Sequence, residues 1–135
     1  MFLSGLSDST KSASLGLAKK MIAADDVVRP EEAEMLRDVA LEMELDPDID
    51  PPETSVAELC AAVSDPRARA SILLELASFA HVDSEYADSE RALLASVASE
   101  WSIDPLTVVR VEAWAEQRIK VTLEAAEIVQ EISTH

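Results

Sequence analysis

Glycine is almost missing from this chain, with two residues in 135, Gly5 and Gly16. Tight β-turns draw on glycine for positive φ, so few are available here. The same scarcity excludes a glycine-rich phosphate-binding loop. Cysteine occurs once, as Cys60, so no internal disulfide forms. A lone thiol among Leu59, Ala61, Ala62 and Val63 reads as a small buried hydrophobe. No motif ties His81 or His135 to it as the base that a nucleophile needs. Cations are scarce too: 11 Lys+Arg stand against 27 Asp+Glu, for a net charge of −16. Phosphate binding needs clustered cations, so nucleic acid is excluded as a partner. An anionic membrane surface attracts basic segments and is disfavoured for the same reason. No window approaches the ~20 apolar residues of a bilayer span. Met1–Leu6 lacks the basic flank and apolar core of a secretory signal. These absences predict a cytoplasmic protein with no direct membrane insertion.

What the chain does have is helical periodicity. Hydrophobic residues make up 48%, enough for a folded core, and they recur at a period near 3.6 rather than 2. A first helix is predicted from about Ser9 to Ala24, with Ala13, Leu17, Met21 and Ala24 inward. A second starts at Pro30, where a missing N–H is harmless. It turns Met35, Leu36, Val39, Ala40 and Met43 inward. Asp46-Pro47-Asp48-Ile49-Asp50-Pro51-Pro52 then breaks the chain into an acidic loop. Ser55-Val56-Ala57-Glu58 has the capping-box pattern and opens a short helix to about Val63. Asp65-Pro66 opens another, to about His81, with Ile72, Leu73, Leu76, Phe79 and Ala80 as its core face. The next runs from about Asp88 to Trp101. Asp104-Pro105 opens the last, to about Ile132, with Val111, Trp114, Ala115, Ile119, Ala126, Val129 and Ile132 as its stripe. Trp101, Trp114, Phe79 and Tyr86 fall on apolar faces and read as core.

The sequence also resembles itself. A gapless offset of 58 residues aligns Leu17–Asp48 with Glu75–Leu106 and superposes the apolar faces of two helix pairs. Identical pairs are Asp25/Asp83, Glu32/Glu90, Leu36/Leu94, Val39/Val97, Ala40/Ala98, Glu42/Glu100, Asp46/Asp104 and Pro47/Pro105. One helix pair buries only one face, so two copies are expected to share a core. The prediction is a single all-α domain over residues 1–135. It is a bundle of five to seven helices with an internal duplication of a helix-turn-helix unit, in copies at about 17–48 and 75–106.

Each copy carries an Asp at the end of one helix and a Glu seven residues on: Asp25 with Glu32, and Asp83 with Glu90. The segment Ala24-Asp25-Asp26-Val27-Val28-Arg29-Pro30-Glu31-Glu32 resembles the signature of TerB-like domains. These are the helical tellurite-resistance-associated domains also found in DjlA-type co-chaperones. Val82-Asp83-Ser84-Glu85-Tyr86-Ala87-Asp88-Ser89-Glu90 is a looser second copy. The family's glycine is replaced by Asp26 in one copy and Ser84 in the other. The resemblance implies a divalent-metal site on Asp25, Glu32, Asp83 and Glu90. Four carboxylates would suit Ca²⁺, Mg²⁺ or Mn²⁺. The residues also read without metal. Glu32 and Glu90 favour a helix dipole, and Asp25 and Asp83 organise a turn. Asp46, Asp48 and Asp50 have the opening spacing of an EF-hand loop. That loop fails at Pro51 and Ala57, where glycine and glutamate are required.

Residues 25–58 hold 13 acids and two bases, Arg29 and Arg37, and so carry −11 of the −16. Glu34, Asp38 and Glu42 fall on the outer side of the second helix. They form a candidate docking face for a basic protein partner, or else a solvated surface. No nucleophile–base pair and no cofactor motif is present, so no catalytic residue is assigned. The resemblance and the charge together predict a non-catalytic interaction domain in a stress-response or membrane-associated complex. The alternative is a divalent-metal-binding or metal-sensing module.

Overall fold

The computed structural model describes residues 3, 5–23, 30–80 and 88–134. Six α-helices lie among them, and no strand. They are α1 (Asp8–Ile22), α2 (Pro30–Glu42), α3 (Val56–Ala61), α4 (Pro66–Ala80), α5 (Asp88–Glu100) and α6 (Pro105–Ser133). The all-α bundle is therefore as the periodicity predicts.

Local chemistry explains where helices begin. Ser7 Oγ caps α1 by accepting from the Thr10 amide at 3.4 Å, and Ser55 Oγ caps α3 by accepting from Glu58 N at 3.1 Å. Glu58 turns its own carboxylate to the Thr54 hydroxyl. Asp104 Oδ1 accepts from Leu106 N at 2.8 Å, with Pro105 in the first turn of α6. Each cap satisfies a backbone donor that the helix itself leaves unpaired.

α1 packs on α2, α3, α4 and α5, and α4 packs on α1, α5 and α6. The core collects Leu15, Leu17 and Met21 from α1 and Val39, Ala40 and Met43 from α2. From α4 and α5 come Ile72, Leu76, Leu94, Val97 and Trp101. Leu3 joins it ahead of the first helix. Gly16 lets α1 approach α3 closely: a Cβ there would stand 2.8 Å from Leu59 Cδ2 and 3.1 Å from Pro52 Cγ. Trp101 locks α5 to α3, its indole N–H donating to the Cys60 carbonyl at 3.0 Å.

Helix boundaries recur at 58 residues. Asp8–Ile22 maps onto Pro66–Ala80, and Pro30–Glu42 onto Asp88–Glu100. The stops recur as well. Leu45 N bonds Ala40 O at 2.8 Å, and Ile103 N bonds Ala98 O at 2.8 Å. Glu44 N bonds Leu41 O, and Ser102 N bonds Ser99 O, both at 3.0 Å. Glu44 and Ser102 take positive φ, 61° and 54°. Both stops are Schellman motifs with an apolar residue following.

One expected face needs correction. On α6 only Ala115 is fully buried, and Val111, Trp114 and Ile119 are half-buried. Ala126, Val129 and Ile132, predicted inward, are exposed. α6 runs alongside α4 in the same direction. Thr107 and Val111 line one groove with Arg69 and Leu73, and Arg118 donates to Ser78 Oγ at 2.9 Å further up. α4 has 15 residues and α6 has 29. Among the described residues no helix therefore lies beside the distal half of α6, and its stripe is exposed.

Candidate functional site

The two acidic turns are only half visible. Asp25 and Asp83 lie outside the described residues, as does His81. Glu32 and Glu90 are the third residues of α2 and α5, and both are half-buried. That position lets a carboxylate face the partial positive charge of a helix N-terminus. Among the described residues, no group of three or more His, Cys, Asp or Glu is placed to hold a metal ion. In the Asp46–Asp50 loop the carboxylates serve the fold. Asp46 Oδ1 accepts from Asp48 N at 2.9 Å, and Asp48 pairs with the Arg37 guanidinium.

Cys60 is suppressed as a nucleophile, and Lys19 and Arg69 are engaged. Burial pushes the Cys60 thiol up to about 11, helped by the negative charge of Glu100 and opposed by Arg69. At neutral pH Cys60 is a thiol, which is a poor nucleophile. Lys19 donates to Glu53 at 2.9 Å. That hydrogen bond, and then the lysine's charge, hold the Glu53 carboxyl below its usual range. An apolar groove of about 340 Å³ runs between α4 and α6, lined by Leu73, Trp101, Ile103 and Val111. Its cation, Arg69, donates to Val63 O at 2.8 Å and lies over the Trp101 ring at 5.9 Å. Glu75 is buried on α4, where the 58-residue register puts Leu17 on α1. Sequence periodicity gives no sign of that buried acid.

The acidic face is displayed on α2. Glu34 and Asp38 are exposed and Glu42 is half-buried. Spaced four apart, they line one strip of the helix. Exposed Glu44, Asp46, Asp48 and Asp50 continue it. Leu41 lies on the same strip at 56% exposure, and Ile49 follows at 44%. Neither apolar residue stood out in the sequence, because single exposed hydrophobics are common. Their position inside the acidic strip gives them meaning.

The 58-residue register sets α2 beside α5 for comparison. In the 58-residue register, Glu34 corresponds to Ala92, Asp38 to Ser96 and Leu41 to Ser99, all exposed. The buried positions agree in kind: Val39 with Val97, Ala40 with Ala98, and Met43 with Trp101. Two helices of one length, with matching stops and matching buried faces, thus differ in charge at Glu34 and Asp38, while the acid at Glu42 recurs as Glu100. Glu34 and Asp38 are exposed acids that α5 lacks at the matching positions.

No family model matches this sequence, and neither a curated protein nor a solved structure matches it.

Proposed function

We propose that this chain is a non-catalytic, TerB-like interaction domain built from a duplicated helix pair, with the outer face of α2 as its docking surface. The carrying observation is the contrast between α2 and α5. Their core faces correspond, while Glu34, Asp38 and Leu41 on α2 stand where α5 has Ala92, Ser96 and Ser99. Exposed charge that α5 lacks is available for recognition. The matching helix ends and Schellman stops support the duplication. The partner is a basic surface with an apolar contact for Leu41, in keeping with a role inside a stress-response or membrane-associated complex. Fields of one sign accelerate encounter with such a partner.

The test is affinity capture with the whole chain against a Glu34→Lys, Asp38→Lys, Glu42→Lys variant. A second variant, with exposed Glu100, Glu116 and Glu127 changed to Lys, has the same net charge. Loss of captured protein in the first variant alone supports the α2 face. Equal capture by both would sink it.

A second reading is a divalent-metal module on Asp25, Glu32, Asp83 and Glu90. It is favoured by the matching, half-buried positions of Glu32 and Glu90. Calorimetric titration with Ca²⁺, Mg²⁺ and Mn²⁺ separates the two. Heat that disappears in a Glu32→Gln, Glu90→Gln variant supports metal, and no heat removes it.

A further inference from the structure

The distal half of α6 poses a physical problem. Every residue from Lys120 to Thr134 is exposed. That stretch is about 20 Å of helix at 1.5 Å per residue. Isolated helices of this length are marginal in water. Here the bundle-held first half supplies the nucleus.

Its side chains are not arranged as a solvated helix would have them. Val121, Ala125, Ile128 and Ile132 follow a 4-3-4 spacing and form one continuous strip. Val121 is 58% exposed, Ile128 49% and Ile132 70%. The strip extends the line by which α6 holds the bundle, through Val111, Trp114 and Arg118. Arg118 is the last of these, donating to Ser78 and lying 5.6 Å over the Trp114 ring. Where α4 ends, the seam goes on without its partner helix.

The charges beside the strip state what fits. Lys120, Glu124, Glu127 and Glu131 are the charged residues of this half, three acids and one base. Lys120 turns back to Glu116, 3.4 Å away. Glu124 and Glu131 border the strip on one side, and Thr122 and Val129 on the other. A second copy lying antiparallel would pair Val121 with Ile132 and Ala125 with Ile128, but it would also set Glu124 beside Glu131 twice. A parallel copy would bring two bundles of net charge −16 side by side. Like charges in contact disfavour both arrangements.

We propose that the distal half of α6 is a second docking surface, which takes an amphipathic helix of a partner protein with Lys or Arg flanking its apolar strip. Helix-on-helix docking of this kind uses anchors at i, i+4 and i+7. Val121, Ala125 and Ile128 supply them. The surface is separate from the α2 face and does not depend on it.

The test uses a labelled three-heptad peptide with Leu along its strip and Lys on both flanks, titrated into the whole chain by fluorescence anisotropy. A second peptide keeps the Leu strip and has Glu flanks. The Lys-flanked peptide is expected to bind and the Glu-flanked one to fail. Val121→Gln with Ile128→Gln leaves net charge and helix propensity nearly unchanged. It should weaken binding at least about tenfold, as loss of two anchors does. A Glu100→Gln variant, exposed and on neither surface, should bind as wild type. The proposal is overturned by no binding, by equal binding of the Glu-flanked peptide, or by binding that survives in the α6 variant. It is also overturned if light scattering finds a dimer that the α6 variant dissolves, since a second copy then covers the strip.

Discussion

Replacing Trp101 with Phe tests the contact that ties the end of α5 to α3. Trp101 is 6% exposed, and its indole N–H reaches across to the Cys60 carbonyl at 3.0 Å. Phe keeps a ring but has no donor. The carbonyl is not orphaned, because Val63 N also donates to it, at 3.1 Å. The hydrogen-bond loss therefore falls near the ordinary net value of about 1 kcal/mol, not the larger cost of a stranded acceptor. Phe also has fewer ring atoms, and the void adds roughly 1 kcal/mol. The Arg69 guanidinium, 5.9 Å above the ring, still finds an aromatic face and changes little. The sum is about 2 kcal/mol, or a Tm lower by about 6–10 °C for a chain of this size. Urea unfolding followed by far-UV circular dichroism measures it, with an unchanged slope expected. Met43 is the register equivalent and is 1% exposed. Met43→Leu, a volume-conserving change, should cost less than about 1.5 kcal/mol. A Trp101→Phe variant within about 0.5 kcal/mol of wild type would refute the reasoning about the α3–α5 link.

Gly16→Ala gains about 1 kcal/mol of helix propensity, but its Cβ meets buried Leu59 at 2.8 Å. Overpacking of about 1–3 kcal/mol should leave the variant less stable by thermal melting. For Cys60 the folded thiol titrates higher than the unfolded one, so the neutral form is favoured in the fold. Its stabilising contribution is complete below the unfolded value near 9 and is lost as pH rises through about 11. The melting temperature of wild type should therefore fall more between pH 8 and 11 than that of a Cys60→Ala variant. Glu44→Gly and Ser102→Gly remove a side chain from positive φ. Each should raise stability by about 0.5–1 kcal/mol after the unfolded-state entropy of glycine is allowed for. The two effects should add, since they fall on separate helices.

The fold was legible because its signals are local. Asp-Pro starts, the Ser55 cap and 3.6-residue periodicity mark helix existence and bounds to within a residue or two. Pro30, Asp88 and Pro105 begin helices where the sequence places them. The distal face of α6 was misread because periodicity reports that a face is apolar, not that anything covers it. Val129 and Ile132 look like core and are exposed. Leu3 looks like a loose terminus and is buried. Glu75 is invisible for the opposite reason: its burial depends on tertiary neighbours. The acidic face is half legible. Its charge is plain in the sequence, but Leu41 joins it only once the helix is placed. Asp25 and Asp83, which the TerB-like resemblance implies as metal ligands, fall outside the described residues.

One start signal has two outcomes in this chain. Asp46-Pro47 and Asp104-Pro105 each follow a Schellman stop, and each Asp accepts from the amide two residues on, at 2.9 Å and 2.8 Å. After Asp104 the chain continues as α6 for 29 residues. After Asp46 it makes a turn, with Ile49 N bonded to Asp46 O at 3.0 Å, and goes no further as helix. The difference lies four and five residues beyond each proline. Pro51 and Pro52 stand where the second half has Val109 and Arg110. Pro51 has no N–H to give the Pro47 carbonyl, and a proline inside a helix costs about 3 kcal/mol. The segment stays an exposed loop, Asp46–Asp50, that lengthens the acidic strip of α2. Pro52 then lies against Gly16, and α3 is confined to six residues. Where no such proline pair intervenes, α6 grows past the end of α4 and carries its apolar strip into solvent. The proline pair thus separates a loop that extends the acidic strip of α2 from a long helix that carries the second candidate surface.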